Sequence, residues 1–206
     1  MLIMLNFKEL FGIFTARRSF DDFMSRHLSI KDGLITYAVV FLIVLILLSL
    51  ELLVFRLFSG FFAGQELAGL LIDTIIIAVI LVIVVPIILA ISTICSYVWG
   101  AFHFLIASLY DKGHSVNHFN AYVFGVFSSV NLVGGLLNLI PVLGWIGSCI
   151  TRIYGTLLLY KTVKRYFSLT SPQALIVVLL PLNLVMIGAL IFSVIVSGIL
   201  VGPIFL

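Results

Sequence analysis

Between Ala68 and Tyr110 the chain carries a single charged side chain, Asp73. About 20 apolar residues already match the hydrocarbon thickness of a bilayer as a helix, so a run this long belongs in lipid. Further apolar runs extend from Gly33 to Arg56, from Ser115 to Leu139, from Val142 to Lys164 and from Ser171 onward. Of the 206 residues, 63% are hydrophobic and 9% charged, and the mean hydropathy is +1.35. A soluble domain is roughly 45–50% apolar and about 25% charged. Eleven Lys/Arg and eight Asp/Glu are too few to clothe a soluble surface. A soluble enzyme, a nucleic-acid-binding domain and a disordered chain are thereby excluded. The expected fold is all-α: a polytopic transmembrane helical bundle formed by residues 33–206, preceded by an N-terminal amphipathic segment, residues 1–32.

The basic residues report orientation. The formal net charge is +3 and the pI about 9.0. The 68–110 stretch is long enough for either one long or kinked span or two spans, with Pro86 near its middle. Taken as one crossing, it makes five spans. Lys8, Arg17, Arg18, Arg26, Lys31, Lys112, Lys161, Lys164 and Arg165 then share one side, and only Arg56 lies opposite. Taken as two, it leaves five basic residues on each side. The positive-inside rule favours five spans, a cytoplasmic N-terminus and a C-terminus on the far side. "MLIML" is too short for a signal-peptide core and runs into Lys8 and Glu9, so the later segments are expected to direct insertion.

Residues 6–32 form the one extended polar stretch. Three spacings suit capping boxes: Asn6 with Glu9, Ser19 with Asp22, and Ser29 with Asp32. Phe7, Leu10, Phe11 and Phe14 recur at helical spacing, as do Phe20, Phe23, Met24 and Leu28. Arg17, Arg18 and Arg26 lie near the opposite side, and these three with Lys31 are the expected membrane-interface residues. One or two short helices are expected, lying in the membrane interface or packed on the bundle. Ser171 and Pro172 are expected to open the last span as N-cap and first helical residue.

The polar residues inside the spans are few enough to take singly. Arg152 lies about ten residues into the fourth span, where an arginine costs at least ~2.5–3.5 kcal/mol on insertion scales. It needs a partner, and Asp73 or Glu51 are the acids that an outward-leaning Arg152 side chain could reach. The pair would be a packing clamp or part of an ion, lipid or solute path. Asn117, Asn131 and Asn138 are separated by multiples of seven residues, which places them along one side of the third span with Phe124. Ala121, Gly125, Ser129 and Gly134/Gly135, with Gly144, Ser148, Thr151 and Gly155 in the next span, predict a close contact between spans three and four. The asparagines would serve that contact or line a polar conduit.

No metal or cofactor site is expected. His114 and His118 are four apart near Asp111, but Gly113 and Ser115 place His114 before the helix that holds His118, and no HExxH motif is present. His103 is expected to be a hydrogen-bonded packing residue, and Cys95 and Cys149 small packing residues. Trp145, Tyr154, Tyr160 and Tyr166 bracket the fourth span as expected interfacial anchors. No phosphate loop or catalytic triad is legible, so the chain is expected not to be an enzyme.

One ordered pattern covers residues 93–185. A long apolar segment ends in a basic-glycine turn at Lys112-Gly113, followed by a polar start from Ser115 to Asn120, Tyr122, small residues and a turn at Pro141. A glycine-rich span, an aromatic–basic exit, a Ser-Leu-Thr-Ser-Pro-Gln-Ala-Leu linker and a last span complete it. This order resembles the Yip1 domain family. The resemblance implies five spans with a cytoplasmic N-terminus and offers no catalytic residues. The sequence lacks the long N-terminal domain and the Asp-Leu-Tyr-Gly-Pro motif of eukaryotic members. A prokaryotic member in the cell membrane is therefore implied, and the link of eukaryotic members to Rab GTPases is not carried over. The expected function is a scaffold or adapter in membrane organisation or trafficking. Its expected partners are the lipid bilayer and other membrane proteins or further copies of the chain, with no nucleic acid. The alternative is a small permease or an ion or lipid conduit with Arg152, His103 and the asparagines along its path.

Overall fold

A computed structural model describes residues 7–15, 17–62 and 67–201, leaving aside the side chains of Arg17, Arg18, Asp73, Trp145 and some neighbours. Among the described residues every regular element is an α-helix. In chain order these are α1 (Phe7–Thr15), α2 (Arg17–Ser25), α3 (Ile30–Phe62), α4 (Leu67–Ala107), α5 (Val116–Asn138), α6 (Pro141–Tyr166) and α7 (Ser171–Val201). Among the described residues four segments are long and apolar enough to cross a membrane: Ile30–Phe62, Val82–Ala107, Val116–Asn138 and Ser171–Ser193. The fifth expected span, α6, falls outside this set. It has the length, at 26 residues, and several side chains of its first turns lie outside those described.

The 68–110 stretch is continuous helix through Pro86, 41 residues long. It therefore does not double back as two spans. At 1.5 Å per residue it rises about 61 Å, twice a bilayer core.

α5 lies at the centre, packed against α1, α3, α4 and α6. It is the least apolar of the four candidate spans and the most buried: 72% of its most apolar window is inside, against 11%, 0% and 17% for the others. This inversion suits a lipid-solvated bundle, where Leu and Ile stay outside and small or polar residues make the contacts. Gly33 brings α3 onto the Ala121 backbone of α5, and Gly135 takes the Val44 side chain. On the α6 side, Gly134 faces Thr151 and Gly155 faces Val130. The expected close pairing of spans three and four is present. The short turn at Leu139 and Ile140 sends α6 back along α5.

α1 and α2 fold onto this centre. Leu10, Ile13, Phe20, Phe23, Met24 and Leu28 are buried, sharing one core with Val40, Val44, Tyr122, Leu132 and Leu158. The Ser129 hydroxyl donates to the Leu10 carbonyl at 2.6 Å, and Phe14 packs on Tyr154 with ring centroids 4.7 Å apart. Ser129 is thirteen residues into α5, so α1 reaches roughly 20 Å along the bundle. Of the two placements expected for these helices, most of their apolar side chains take the bundle, while Phe11 stays exposed.

The chain turns into α3 through a capping box. The Ser29 hydroxyl accepts the Asp32 amide at 3.2 Å while an Asp32 carboxylate oxygen accepts the Ser29 amide at 3.3 Å. The Ser19–Asp22 box does not form at a helix start, because α2 begins at Arg17 and Ser19 lies inside it. Asn6 lies outside the described residues. Before α7 the cap is Thr170, not Ser171: the Gln173 side chain folds back to accept both the amide and the hydroxyl of Thr170.

Candidate functional site

Two polar regions lie at opposite ends of the α5–α6 pair. The first is a notch of about 180 Å³ near the α5–α6 turn, lined by Asn131, Asn138, Ser148, Thr151 and Arg152 together with Val44 and Gly134. α5 supplies the amides and α6 the hydroxyls and the cation, because the small residues at Gly134 and Gly135 leave room between helices. The Ser148 hydroxyl donates to Asn138 Oδ1 at 2.7 Å, and the Thr151 hydroxyl donates to the Gly147 carbonyl at 2.9 Å. From Asn138 to Asn131 the notch descends seven residues, about 10 Å. Apolar packing closes it beneath: Val44, Val130 and Leu132 share a cluster with Leu10 and Ile13 of α1.

Arg152 is exposed on the notch flank. Among the described residues no acid lies within ion-pair distance of it. The expected Arg152–Glu51 pair does not form. Glu51 instead lines an apolar groove with Leu47, Leu48, Phe55, Phe58 and Leu139. The Asp73 side chain lies outside the described residues.

The asparagine stripe is split. Asn117 accepts a hydrogen bond from the Tyr97 hydroxyl of α4 at 3.0 Å, while Asn131 and Asn138 face the notch between α5 and α6. A helix drifts about 20° per heptad, so residues fourteen apart no longer share a neighbour. Phe124 is buried between the two ends, beside Tyr37 at 5.3 Å.

The second region joins the N-terminal helices to the start of α5 and the end of α6. The Tyr122 hydroxyl donates to the Arg26 carbonyl at 2.5 Å. His118 lies between Tyr166, at 3.2 Å from its hydroxyl, and Tyr122, at 3.5 Å. The His27 ring stacks on His118 with centroids 5.7 Å apart. The Tyr166 hydroxyl donates to the Ser115 carbonyl at 3.2 Å, and His114 pairs with Asp111 at 2.9 Å. Two ion pairs flank the cluster: Arg26 with Glu9 at 2.8 Å, and Arg165 with Asp21. Arg26 thus clamps the N-terminal helices through both its side chain and its carbonyl. Lys31 is exposed in the first turn of α3, and the side chains of Arg17 and Arg18 lie outside the described residues.

This clamp was not legible in the sequence. Its members come from residues 9–27, 111–122 and 165–166, and no local spacing links them. Tyr154 and Tyr166, expected as interfacial anchors, are half-buried contacts to α1 and to the histidines. Cys95 and Cys149, expected to pack, are free and exposed, because the surfaces of α4 and α6 that carry them face outward. His103 does pack: it is fully buried, its Nδ1 donates to the Trp99 carbonyl at 2.8 Å, and its ring meets Trp99 edge-on. It lies away from the notch.

Among the described residues no three His, Cys, Asp or Glu side chains converge to hold a metal. No family model matches the chain, and no curated protein or solved structure matches it.

Proposed function

We propose that the protein is a non-enzymatic membrane scaffold or adapter with five crossings and a cytoplasmic N-terminal platform. α6 is the fifth crossing. Its 26 residues rise about 39 Å, and it runs antiparallel to α5. Ile146, Ile150, Ile153 and Leu157 form an exposed apolar stripe along it, a surface suited to lipid. Lys31, Lys112, Lys161, Lys164 and Arg165 then gather on the cytoplasmic side and the end of α7 lies on the far side. The Yip1-like order of segments supports the same arrangement, and with it a prokaryotic cell membrane and a role in membrane organisation or trafficking.

The burial of α1 and α2 against α5 and α6 carries this reading. Six apolar side chains and two ion pairs hold the pair of helices in place, so their polar faces form a preorganised surface. Two clefts open on that surface. One of about 310 Å³ is lined by Lys8, Glu9, Ser19, Asp22 and Arg26. The other, about 530 Å³, is lined by Asp21, Lys161, Lys164 and Arg165. Preorganised, mixed-charge clefts suit the cytoplasmic segment of another membrane protein.

Purification from native membranes in mild detergent tests the proposal. A stoichiometric protein partner is expected, and Lys8→Glu combined with Lys161→Glu is expected to lower its yield several-fold without altering the elution volume of the chain itself. A monodisperse chain without a partner would count against an adapter. The notch favours a second reading, a conduit through Arg152. Solute flux into liposomes that Arg152→Met abolishes would replace the scaffold with that reading.

A further inference from the structure

Arg152 presents a guanidinium that no described side chain neutralises, in a segment read above as membrane-spanning. An uncompensated arginine there is unfavourable, and in structures such residues acquire a partner or reach the interface. The surroundings say which kind of partner. The notch lining contains no carboxylate. Asn138 accepts the Ser148 hydroxyl through Oδ1, which leaves its amide N–H groups to donate. Asn131 contributes a second amide. The Thr151 hydroxyl proton is already committed to a backbone carbonyl, so it has no donor left for a ligand. A cation with five N–H donors, sharing a notch with two amides and no acid, has the makings of an anion receptor. A guanidinium fork matches the paired oxygens of a phosphate.

Size and access agree. About 180 Å³ accommodates a phosphate group and not a large solute. Gly134 keeps the wall open: a Cβ there would stand 3.3 Å from Thr151 Oγ1. Arg152 is exposed on α6, roughly a third of the way round the helix from the exposed stripe of Ile146, Ile150 and Ile153. With α6 crossing the bilayer, a ligand held by Arg152 lies at the level of the hydrocarbon, where a lipid tail can follow its headgroup.

We propose that the notch binds a phosphate ester, with Arg152 as the charged ligand and Asn131 and Asn138 as neutral donors, and that a lipid headgroup supplies it. The inference rests on the crossing of α6, which topology mapping tests separately.

The test uses the full-length protein in detergent, with thermal stability followed during titration with short-chain phosphatidylglycerol, and in parallel with inorganic phosphate. A ligand bound only by the folded state raises the melting temperature. Phosphatidylglycerol is expected to raise that of wild type, with apparent affinity roughly tenfold or more weaker in Arg152→Met and partly retained in Arg152→Lys. Stabilisation by the lipid and not by inorganic phosphate assigns the source to lipid. Equal stabilisation by inorganic phosphate assigns it to free phosphate and overturns the lipid assignment. No stabilisation by either, or an equal effect in Arg152→Met, overturns the site. Should Arg152→Met fail to fold, Asn131→Leu removes one donor and leaves the cation. Several-fold weaker binding is expected there, and unchanged binding would overturn the proposed ligand set.

Discussion

Gly33→Ala is expected to destabilise the bundle by roughly 1–3 kcal/mol, the usual range for forcing an extra carbon into a filled contact. Helix propensity alone predicts the opposite sign, because Ala is favoured over Gly by ~0.8–1.0 kcal/mol inside a helix. Packing decides. A Cβ at Gly33 would lie 2.8 Å from the Ala121 carbonyl oxygen and 2.9 Å from the Ala121 Cα. Both are backbone atoms of the most buried helix, so no side-chain rotation relieves the clash and α3 itself must move. α3 is also tied here by the Ser29–Asp32 cap, which limits that movement. Gly188→Ala is the control. Nothing lies within 4 Å of its Cβ position, and it is expected to be neutral or stabilising by up to ~1 kcal/mol. Unfolding by denaturing detergent, measured for both variants in the same host micelle, reads the difference in sign. Two equal effects would mean that α3 and α5 do not approach as closely as described.

The larger effect is expected from Phe23→Ala, which should destabilise the docking of the N-terminal helices by about 3–5 kcal/mol. Phe23 is 2% exposed and meets Tyr122 edge-on with centroids 5.5 Å apart. Removing the ring opens a cavity beneath α2, between the two ion pairs and the Tyr122–Arg26 hydrogen bond. Those polar contacts are partly exposed, and exposed pairs contribute little by themselves. Amide hydrogens of α2 are therefore expected to exchange much faster in the variant, while those of α5 stay protected. Protection of α2 equal to wild type would show that the polar clamp holds the platform without the apolar core.

The sequence disclosed the helices more fully than their neighbours. Apolar length and the Ser29–Asp32 spacing are local signals, and both led to elements at or near their observed bounds. The 68–110 stretch was ambiguous because composition does not distinguish a continuous helix of twice the bilayer thickness from a hairpin. Heptad spacing grouped three asparagines, yet drift along α5 and the bulk of Phe124 divide them between α4 and α6. Arg152 was marked by its cost in lipid, which is visible in one residue. Its surroundings depend on which face of α5 meets α6, and the expected acidic partner was wrong for Glu51. The His27–His118–Tyr166 contacts join parts of the chain far apart in sequence, where only the fold brings them together.

The crossing of α6 underlies both the placement of the platform in the cytoplasm and the reading of Arg152 as an intramembrane cation. Site-directed labelling tests it most directly. In a Cys95→Ala, Cys149→Ala background, Ile140→Cys and Ser168→Cys place single exposed thiols at the two ends of α6. With a membrane-impermeant maleimide on intact cells, Ile140→Cys is predicted to label at once and Ser168→Cys only after permeabilisation. Labelling of both positions from the same side would contradict the account.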